Sequence, residues 1–260
     1  MKKLKFWLIS VFSERSKNIL GNVSAVVQLE TEISSQKMQL IANELNQPAT
    51  TFIWKTDEKW NIRWFAPDSE IQLCGHGAMA AVALFDTLNE PIPIFHYSNG
   101  EVSGKTSGSK IYSRLAKGSF SKTPAPDGLE KALGVKILEH YKTNDKNIVV
   151  LKSESDLKNM QPNFDLLKQL PPFGYAVTAK GDEVDFVSRT LVPKVLQLED
   201  HATGSSHTVL VPYWSEQLNK IELKSRQLSR RGGSFECTLV SEFVVLSGEY
   251  EVIGRGEILI

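Results

Sequence analysis

The feature of this sequence that most constrains its fold is an apolar run that follows the segment Leu73-Cys74-Gly75-His76-Gly77. Residues 78–85 are apolar on nearly every side of a predicted helix, and a helix of that kind is buried rather than laid on a surface. A second run of this type, residues 208–214, follows residues 199–207. The chain is therefore expected to enclose two helices, each entered through a glycine-bearing turn that follows an extended stretch.

Hydrophobic spacing predicts the other elements. The first predicted helix carries apolar residues at helical spacing, namely Met38, Ile41, Ala42 and Leu45. Its N-terminus is expected to be capped by Ser34 or Ser35. Strands are predicted at residues 4–12, 23–29, 51–55, 61–65, 147–152, 175–178, 184–189, 220–223, 227–230, 234–240 and 243–246. Further helices are predicted at 129–133 and 156–170, the second interrupted by Pro162, and Gly248 is expected to introduce a turn before a last strand.

The order sheet, helix, sheet occurs twice along these predicted elements. It indicates an α+β protein with internal pseudosymmetry.

Charge and cysteine content bound the class of protein. Thirty basic and thirty acidic residues give no net charge, so nothing indicates a nucleic-acid partner. Two cysteines without a disulfide-dense pattern favour the reducing cytoplasm. The basic start at Met1-Lys2-Lys3 precedes an apolar run of only seven residues with no small-x-small cleavage site, and no run is long enough for a membrane span. We therefore expect no membrane association.

The two glycine-bearing turns are candidate anion sites. A strand that turns into a helix leaves backbone N–H groups unpaired at the positive end of the helix dipole. The predicted donors to a ligand carboxylate are Gly75, Gly77, Thr203, Gly204 and Ser205. A tight turn alone is the structural alternative, but its presence in both halves favours one small anionic ligand held between them.

Three side chains in these turns are candidates for moving a proton. His76 lies where the helix dipole favours a neutral imidazole, which can hydrogen-bond a bound acid; alternatively it only caps the turn. Asp200 can hold a ligand amine or steer a proton, or it can be the N-cap of a helix beginning at Ala202. Cys74 is a candidate base, with packing as its alternative, whereas Cys237 is expected to be a buried core residue.

No metal or cofactor is expected. His201 and His207 have a spacing that fits no metal-ligand pattern, and they are interpreted as solvated or capping histidines. Neither glycine-bearing segment has the spacing of a phosphate loop or a dinucleotide site.

Several segments together resemble the PhzF-like isomerases of phenazine biosynthesis, a family that shares its fold with diaminopimelate epimerase. The matching pieces, in chain order, are residues 21–27, 38–46, 65–67, 74–76, 199–205, 231–233 and 248–256. The resemblance implies two pseudosymmetric domains, each a curled sheet around a central helix, with the active site in the cleft between them. The expected domains are residues 1–115, joined by a strand at 253–260, and residues 116–252. The resemblance also implies cofactor-independent proton transfer at carbon on a small carboxylate-bearing substrate, and a homodimer.

The sequence departs from the family pattern at one position. The family reads Asn-Leu-Ser-Glu-Thr-x-Phe, with the glutamate as general acid and base, whereas this chain reads Asn46-Gln47-Pro48-Ala49-Thr50-Thr51-Phe52. Ala49 thus stands at the glutamate position, and a methyl group accepts no proton. Three interpretations stay open. One is an isomerase that uses other residues, and a second is a non-catalytic relative that binds a metabolite. A third is a register slip that brings Glu44 to the site.

Overall fold

The computed structural model describes residues 3–259, which form two compact units. Unit 1 contains the residues up to Arg114 and those from Ser247 onward, and unit 2 is Leu115–Leu246. Met1 and Lys2 of the basic start, and Ile260 of the predicted last strand, lie outside the described residues.

The described part of unit 1 contains two α-helices and a short 3-10 helix at Arg15–Lys17. Its helices are α1 (Ser35–Leu45) and α2 (Gly75–Thr87). Its strands are β1 (Lys3–Ser13), β2 (Asn22–Gln28), β3 (Ala49–Thr56), β4 (Lys59–Phe65), β5 (Glu70–Ile71), β6 (Phe95–Tyr97), β7 (Gly100–Val102), β8 (Gly104–Ser107) and β9 (Lys110–Ala116), the last of which continues into unit 2.

Unit 2 contains four helices. They are α3 (Leu129–Leu133), α4 (Glu154–Asn159), α5 (Phe164–Gln169) and α6 (Gly204–Leu218). Its strands are β10 (Phe120–Lys122), β11 (Glu139–Thr143), β12 (Lys146–Val150), β13 (Gly174–Lys180), β14 (Phe186–Leu191), β15 (Glu199–Asp200), β16 (Glu222–Gln227), β17 (Gly233–Val240) and β18 (Phe243–Leu259), and β18 returns the chain to unit 1.

The two units repeat one order of strand pairing. In unit 1 the pairs follow in the order β1–β2, β2–β3, β3–β4, β4–β5, β4–β6 and β6–β7. The second and fifth of these pairs are parallel, and the other four are antiparallel. In unit 2 the pairs β11–β12, β12–β13, β13–β14, β14–β15, β14–β16 and β16–β17 follow the same series. The predicted pseudosymmetry is therefore present at the level of topology.

Strand register makes individual residues equivalent between the units. Phe65 pairs with Glu70 as Leu191 pairs with Glu199. The first pair of the parallel ladder is Ser24 with Ala49 in unit 1, and Lys146 with Gly174 in unit 2. These registers also make Arg63 equivalent to Arg189.

Both apolar runs form buried helices, as the sequence predicts. Every residue of α2 from His76 to Phe85 is buried, and the helix packs against β1, β2, β3 and β8. Helix α6 packs against β12, β13, β16 and β17 of its own unit. Helix α1, by contrast, buries one apolar stripe that includes Met38 and Ile41.

Helix α6 contains a proline in its interior, and a neighbouring glycine compensates for it. Pro212 has no N–H to donate to the carbonyl of Thr208, four residues earlier. The Gly118 N–H donates to that carbonyl instead, at 3.1 Å. A Cβ on Gly118 would stand 2.6 Å from Cγ1 of Val209, so the segment between β9 and β10 needs glycine to approach α6 this closely.

The helix predicted at 156–170 is interrupted at Pro162 as expected, because α4 ends at Asn159 and Asn163 begins α5 as its N-cap. Two other sequence predictions were wrong in detail. The strands predicted at 220–223 and 227–230 are one strand, β16, which ends at Gln227 because a turn follows it. In that turn Gly232 has a φ of 74°, and its N–H donates to the Ser229 hydroxyl at 3.1 Å. Gly248 makes no turn.

Gly248 lies inside β18, which stays extended while it pairs with β1. Glu249 is opposite Ser13 and Leu259 is opposite Lys3. Extended backbone is open to glycine as to any residue, and the pairing with β1 continues the strand past Gly248. No helix formed by residues 3–259 is long and apolar enough to cross a membrane.

Candidate functional site

The turn of residues 73–77, called here the Cys74 turn, brings a thiol and an imidazole together. Cys74 is the N-cap of α2, and its Sγ accepts the Gly77 N–H at 3.4 Å. The His76 side chain is buried, with Nδ1 3.5 Å and Nε2 3.7 Å from the same sulfur. The sequence candidates Cys74 and His76 are therefore direct neighbours.

The two glycines of the Cys74 turn have different surroundings. A Cβ on Gly77 would stand 2.6 Å from Cδ1 of Trp64 and 2.7 Å from Oγ1 of Thr51, so packing requires glycine there. At Gly75 the same construction meets no atom within 4 Å, and its φ lies outside the left-handed region. Neither packing nor backbone conformation explains the missing side chain at Gly75.

Ala49 lies in a fully buried part of β3. Its carbonyl accepts the Ser24 hydroxyl at 3.1 Å, and that hydroxyl is also 2.7 Å from Oγ1 of Thr51. Thr51 contacts the N-terminal turn of α2, and side chains alternate along a strand, so Ala49 faces α2 as well. No carboxylate of β3 stands at this position.

Glu44 is not a substitute for the missing carboxylate. Helix α1 packs on Phe52 and Trp54, which point to the face of β3 opposite Thr51. Glu44 is exposed on that helix, outside its buried stripe. The register-slip interpretation is therefore wrong.

The turn of residues 199–206, called here the Thr203 turn, repeats the first in unit 2. Its N-cap is Thr203, so the expectation that Asp200 caps a helix beginning at Ala202 is wrong. Asp200 instead accepts the His201 N–H at 2.8 Å through Oδ1 and the Thr203 hydroxyl at 2.6 Å through Oδ2. The Gln227 amide closes the turn, since Nε2 donates to the Asp200 carbonyl at 2.7 Å and Oε1 accepts the Thr203 N–H at 2.9 Å.

His207 follows the Thr203 turn in α6 and is a buried structural residue rather than a solvated one. Its Nδ1 is 2.8 Å from the carbonyl of Thr203 and its Nε2 is 2.8 Å from Oγ of Ser225. The ring also lies 4.0 Å, centroid to centroid, from that of Phe235. Complete burial lowers the pKa of His207 to about 4, because the charged imidazolium loses its hydration. His201 is half-buried, and burial lowers its pKa as well.

Sequence reasoning missed Lys146, a lysine whose side chain is only 10% exposed. Its Nζ donates to Oγ of Ser205 at 3.1 Å and to the carboxylate of Asp145. Its stem crosses Gly174, where a Cβ would stand 3.2 Å from the lysine Cγ. Nothing in the neighbouring sequence marks this lysine, and its pairing with Gly174 is visible only once the topology is known.

Each turn is preceded by an arginine–glutamate pair at equivalent positions. In unit 1, Nε and Nη2 of Arg63 donate to Glu70, both at 2.8 Å. In unit 2, Nε and Nη2 of Arg189 donate to Glu199 at 2.8 and 2.9 Å. A bidentate pair fixes the short strand that leads into each turn.

The structure therefore gathers Cys74, Gly75, His76 and Gly77 in one turn, and Asp200, Thr203, Gly204 and Ser205 in the other. Ser205 is exposed, whereas Thr203 and Gly204 are buried. Among residues 3–259, no three His, Cys, Asp or Glu side chains are grouped so that they could hold a metal ion.

Comparison with known proteins gives consistent matches over the whole chain. The model of the PhzC-PhzF family, described as phenazine biosynthesis-like protein, matches residues 9–256. A protein of Pseudomonas aeruginosa named as an uncharacterized isomerase is 36% identical, with 98% of each chain covered. One from Halalkalibacterium halodurans with the same description is 33% identical over 100% of both chains.

Solved structures agree with these matches. The crystal structure of a PhzF-family protein from Enterococcus faecalis has a TM-score of 0.94 at 33% identity, covering 100% of each chain. A hydroxyproline epimerase from Agrobacterium vitis has a TM-score of 0.62 at 8% identity, covering 98% of this chain and 92% of its own, and shows the fold alone. The α+β, epimerase-like fold predicted from sequence is confirmed.

Proposed function

We propose that this chain, which belongs to the PhzC-PhzF family of phenazine biosynthesis-like proteins, is an isomerase that moves a proton on a small carboxylate-containing metabolite without a cofactor. Relatives that match nearly the full length carry the name isomerase, which supports the reaction class. The observation that carries the proposal in this chain is Gly75. Open space at the first residue of α2, beside His76, is what a ligand approaching the backbone N–H groups requires.

The two turns supply donors for the negative charge of the substrate. The first residues of each helix place backbone N–H groups at the positive end of the helix dipole, and the Ser205 hydroxyl is exposed beside them in unit 2. Removing a proton from the carbon next to a carboxylate spreads negative charge onto the carboxylate oxygens. Fixed N–H donors stabilise that charge, because their dipoles need no reorganisation during the reaction.

His76 and Asp200 are the proposed proton-transfer groups. An acid/base residue takes the proton from one carbon and returns a proton at the position that defines the isomer. His76 has two ring nitrogens for this exchange and is shielded from bulk water. Cys74 remains a candidate, although its sulfur already caps α2.

Solvent-deuterium exchange tests the proposal. A panel of small carboxylic acids is incubated with the enzyme in D₂O, and loss of carbon-bound hydrogen is followed by NMR. The rate of exchange is expected to be about 100-fold or more lower in His76→Gln and in Asp200→Asn than in the wild type. His96→Gln, a half-buried histidine of β6 paired with Glu101, is the matched control and should exchange normally. Undiminished exchange in both site variants would refute the residue assignment, and a wild type that exchanges no member of the panel would refute the reaction.

A cytoplasmic homodimer is part of the proposal. Both cysteines are free and buried, as expected of a chain kept in a reducing compartment. Sedimentation velocity of the purified chain tests the dimer, and a single monomeric species at micromolar concentration would contradict it.

A further inference from the structure

The two repeats differ at one position in a way that separates their roles. Ser24 and Lys146 are equivalent, because each is the first residue of the parallel ladder of its unit. The Ser24 hydroxyl is fully buried and bonds only within its sheet, to Ala49 and Thr51. Lys146 instead carries an ammonium to the N-terminus of the buried helix, at Ser205. A formal positive charge is thus built into the Thr203 turn and has no counterpart at this position in unit 1.

The contact between Lys146 and Ser205 fixes the direction of a proton. An ammonium group has three donors and no acceptor, so Oγ of Ser205 must accept in the 3.1 Å hydrogen bond. The Ser205 hydroxyl hydrogen therefore points away from Lys146. Ser205 is exposed, and its hydroxyl is left as a donor for whatever reaches the turn from solvent.

Pairing with Asp145 does not explain why this lysine is buried. Asp145 is half exposed and adjacent in the chain, and an ion pair of that kind forms as readily on a surface. The lysine stem passes over Gly174, where a Cβ would stand 3.2 Å from Cγ of Lys146 and 2.7 Å from the carbonyl of Leu191. The ring of Phe173 lies 5.8 Å from Nζ on another side. These neighbours hold Nζ in one place beside Ser205.

We propose that Lys146 is the positioning residue that makes the Thr203 turn select an ionised carboxylate, by orienting the Ser205 hydroxyl as a donor and adding a fixed positive charge. The proposal rests on the proposed function, since it assigns the carboxylate of that substrate to unit 2. The proposal also predicts a specificity: a neutral carboxamide of the same shape has no negative charge for the ammonium to attract and is bound more weakly than the carboxylate.

Binding of matched acids and amides tests this assignment. The probes are benzoate with benzamide and L-proline with L-prolinamide, measured by ligand-observed NMR on the full chain. Lys146→Met removes the charge and keeps the stem, Lys146→Arg keeps the charge, and Lys168→Met removes the charge of an exposed lysine on α5 as the matched control. Lys146→Met is expected to weaken carboxylate binding about tenfold or more and carboxamide binding less than about twofold. Lys146→Arg should recover most of the loss.

A double-mutant cycle separates positioning from simple structure. If Lys146 acts through Ser205, Lys146→Met combined with Ser205→Ala should bind carboxylates hardly more weakly than Lys146→Met alone. Two results would overturn the proposal and leave the proposed function standing. In one, Lys146→Met binds a carboxylate as tightly as the wild type does. In the other, the substitution weakens binding of the acid and of the amide equally. A wild type that binds neither carboxylate and catalyses no exchange would overturn both.

Discussion

Cys74 and Thr203 have the same backbone conformation at the start of the two buried helices. Their φ and ψ angles are −121° and 103° for Cys74, and −120° and 101° for Thr203. Their side chains make different hydrogen bonds. The Cys74 sulfur accepts a backbone N–H of its own helix, whereas the Thr203 hydroxyl donates to Asp200. The repeat thus preserves the turn and changes its chemistry.

The cap provided by Cys74 should be measurable in the free energy of unfolding. Cys74→Ala removes the acceptor for the Gly77 N–H and is expected to cost about 1 kcal/mol, whereas Cys74→Ser keeps an acceptor and should cost less than about 0.5 kcal/mol. Ser34→Ala, which removes the N-cap of α1, gives the scale for comparison. Urea unfolding measures all three, and equal stability of the alanine and serine variants at position 74 would show that the sulfur does not cap α2.

Alanine substitutions at Gly75 and Gly77 should affect different properties, namely activity at Gly75 and stability at Gly77. Gly77→Ala places a methyl group against Trp64 and Thr51 and is expected to lower stability by about 1 to 3 kcal/mol. Gly75→Ala meets no neighbour, so its stability should change by less than about 1 kcal/mol while deuterium exchange falls strongly. Chemical unfolding and the exchange assay are run on both variants. Full activity in Gly75→Ala would mean that no ligand approaches this residue.

Stability should fall as the pH falls from about 6.5 to about 4, in part through His207. Its folded pKa of about 4 lies below the ordinary value of 6.5, so in this window the unfolded chain binds a proton that the folded chain does not. The contribution is fully present above pH 6.5 and is lost at about 1.4 kcal/mol per pH unit as the pH falls.

The control for this prediction is His207→Gln, unfolded in urea at the same series of pH values. His140 and His201 also have pKa values lowered by burial and act with the same sign, but they are present in both proteins. The difference in slope between wild type and variant therefore isolates His207. Parallel curves would contradict the assignment.

The arginine–glutamate pairs should differ in strength. Arg189 is 14% exposed and also donates to the carbonyls of Met160 and Leu157, at 2.9 and 3.4 Å. Arg189→Ala is expected to cost about 2 to 3 kcal/mol, because Glu199 and these carbonyls lose their donors in a half-buried site. Arg63 is 23% exposed, so Arg63→Ala should lower the free energy of unfolding by only about 1 kcal/mol. Double-mutant cycles with Glu199→Ala and Glu70→Ala measure the two couplings, and a larger coupling in unit 1 would contradict this ranking.

Ala49→Glu is expected to raise deuterium exchange above the wild type, because it returns a carboxylate to the position where the family pattern has one. Ala49→Gln is the matched control, with the same size and no base, and it should give no gain. Both variants should lose stability, since Ala49 is fully buried and a larger side chain overfills its site. Tight metabolite binding without any exchange in wild type or Ala49→Glu would favour the binding-only interpretation over the proposed function.

Much of the fold follows from local patterns. The spacing of Met38, Ile41 and Ala42 predicts the buried stripe of α1, and Ser34 is its N-cap. The strands predicted at 51–55 and 61–65 form a hairpin, and Asp57 and Glu58 make its turn with positive φ. These features depend on residues close together in the chain, which is why sequence alone predicts them.

The errors concern positions where a distant strand decides the conformation. Gly248 reads as a turn residue, yet pairing with β1 keeps it extended. The site shows the same limit: the turns themselves were predicted, but Lys146 and Arg189 were not. Lys146 is first recognisable as a site residue when β12 is placed beside β13 and α6, since nothing in the neighbouring sequence distinguishes it from a surface lysine.

The passage of β18 from unit 2 back into unit 1 sets an order of events during synthesis on the ribosome. Unit 2 is one uninterrupted stretch, so all of it has been made before the segment that begins at Ser247 emerges. Strand β1 has β2 beside it early, but its other neighbour is β18. The half of the protein that is translated first is therefore the half that is completed last.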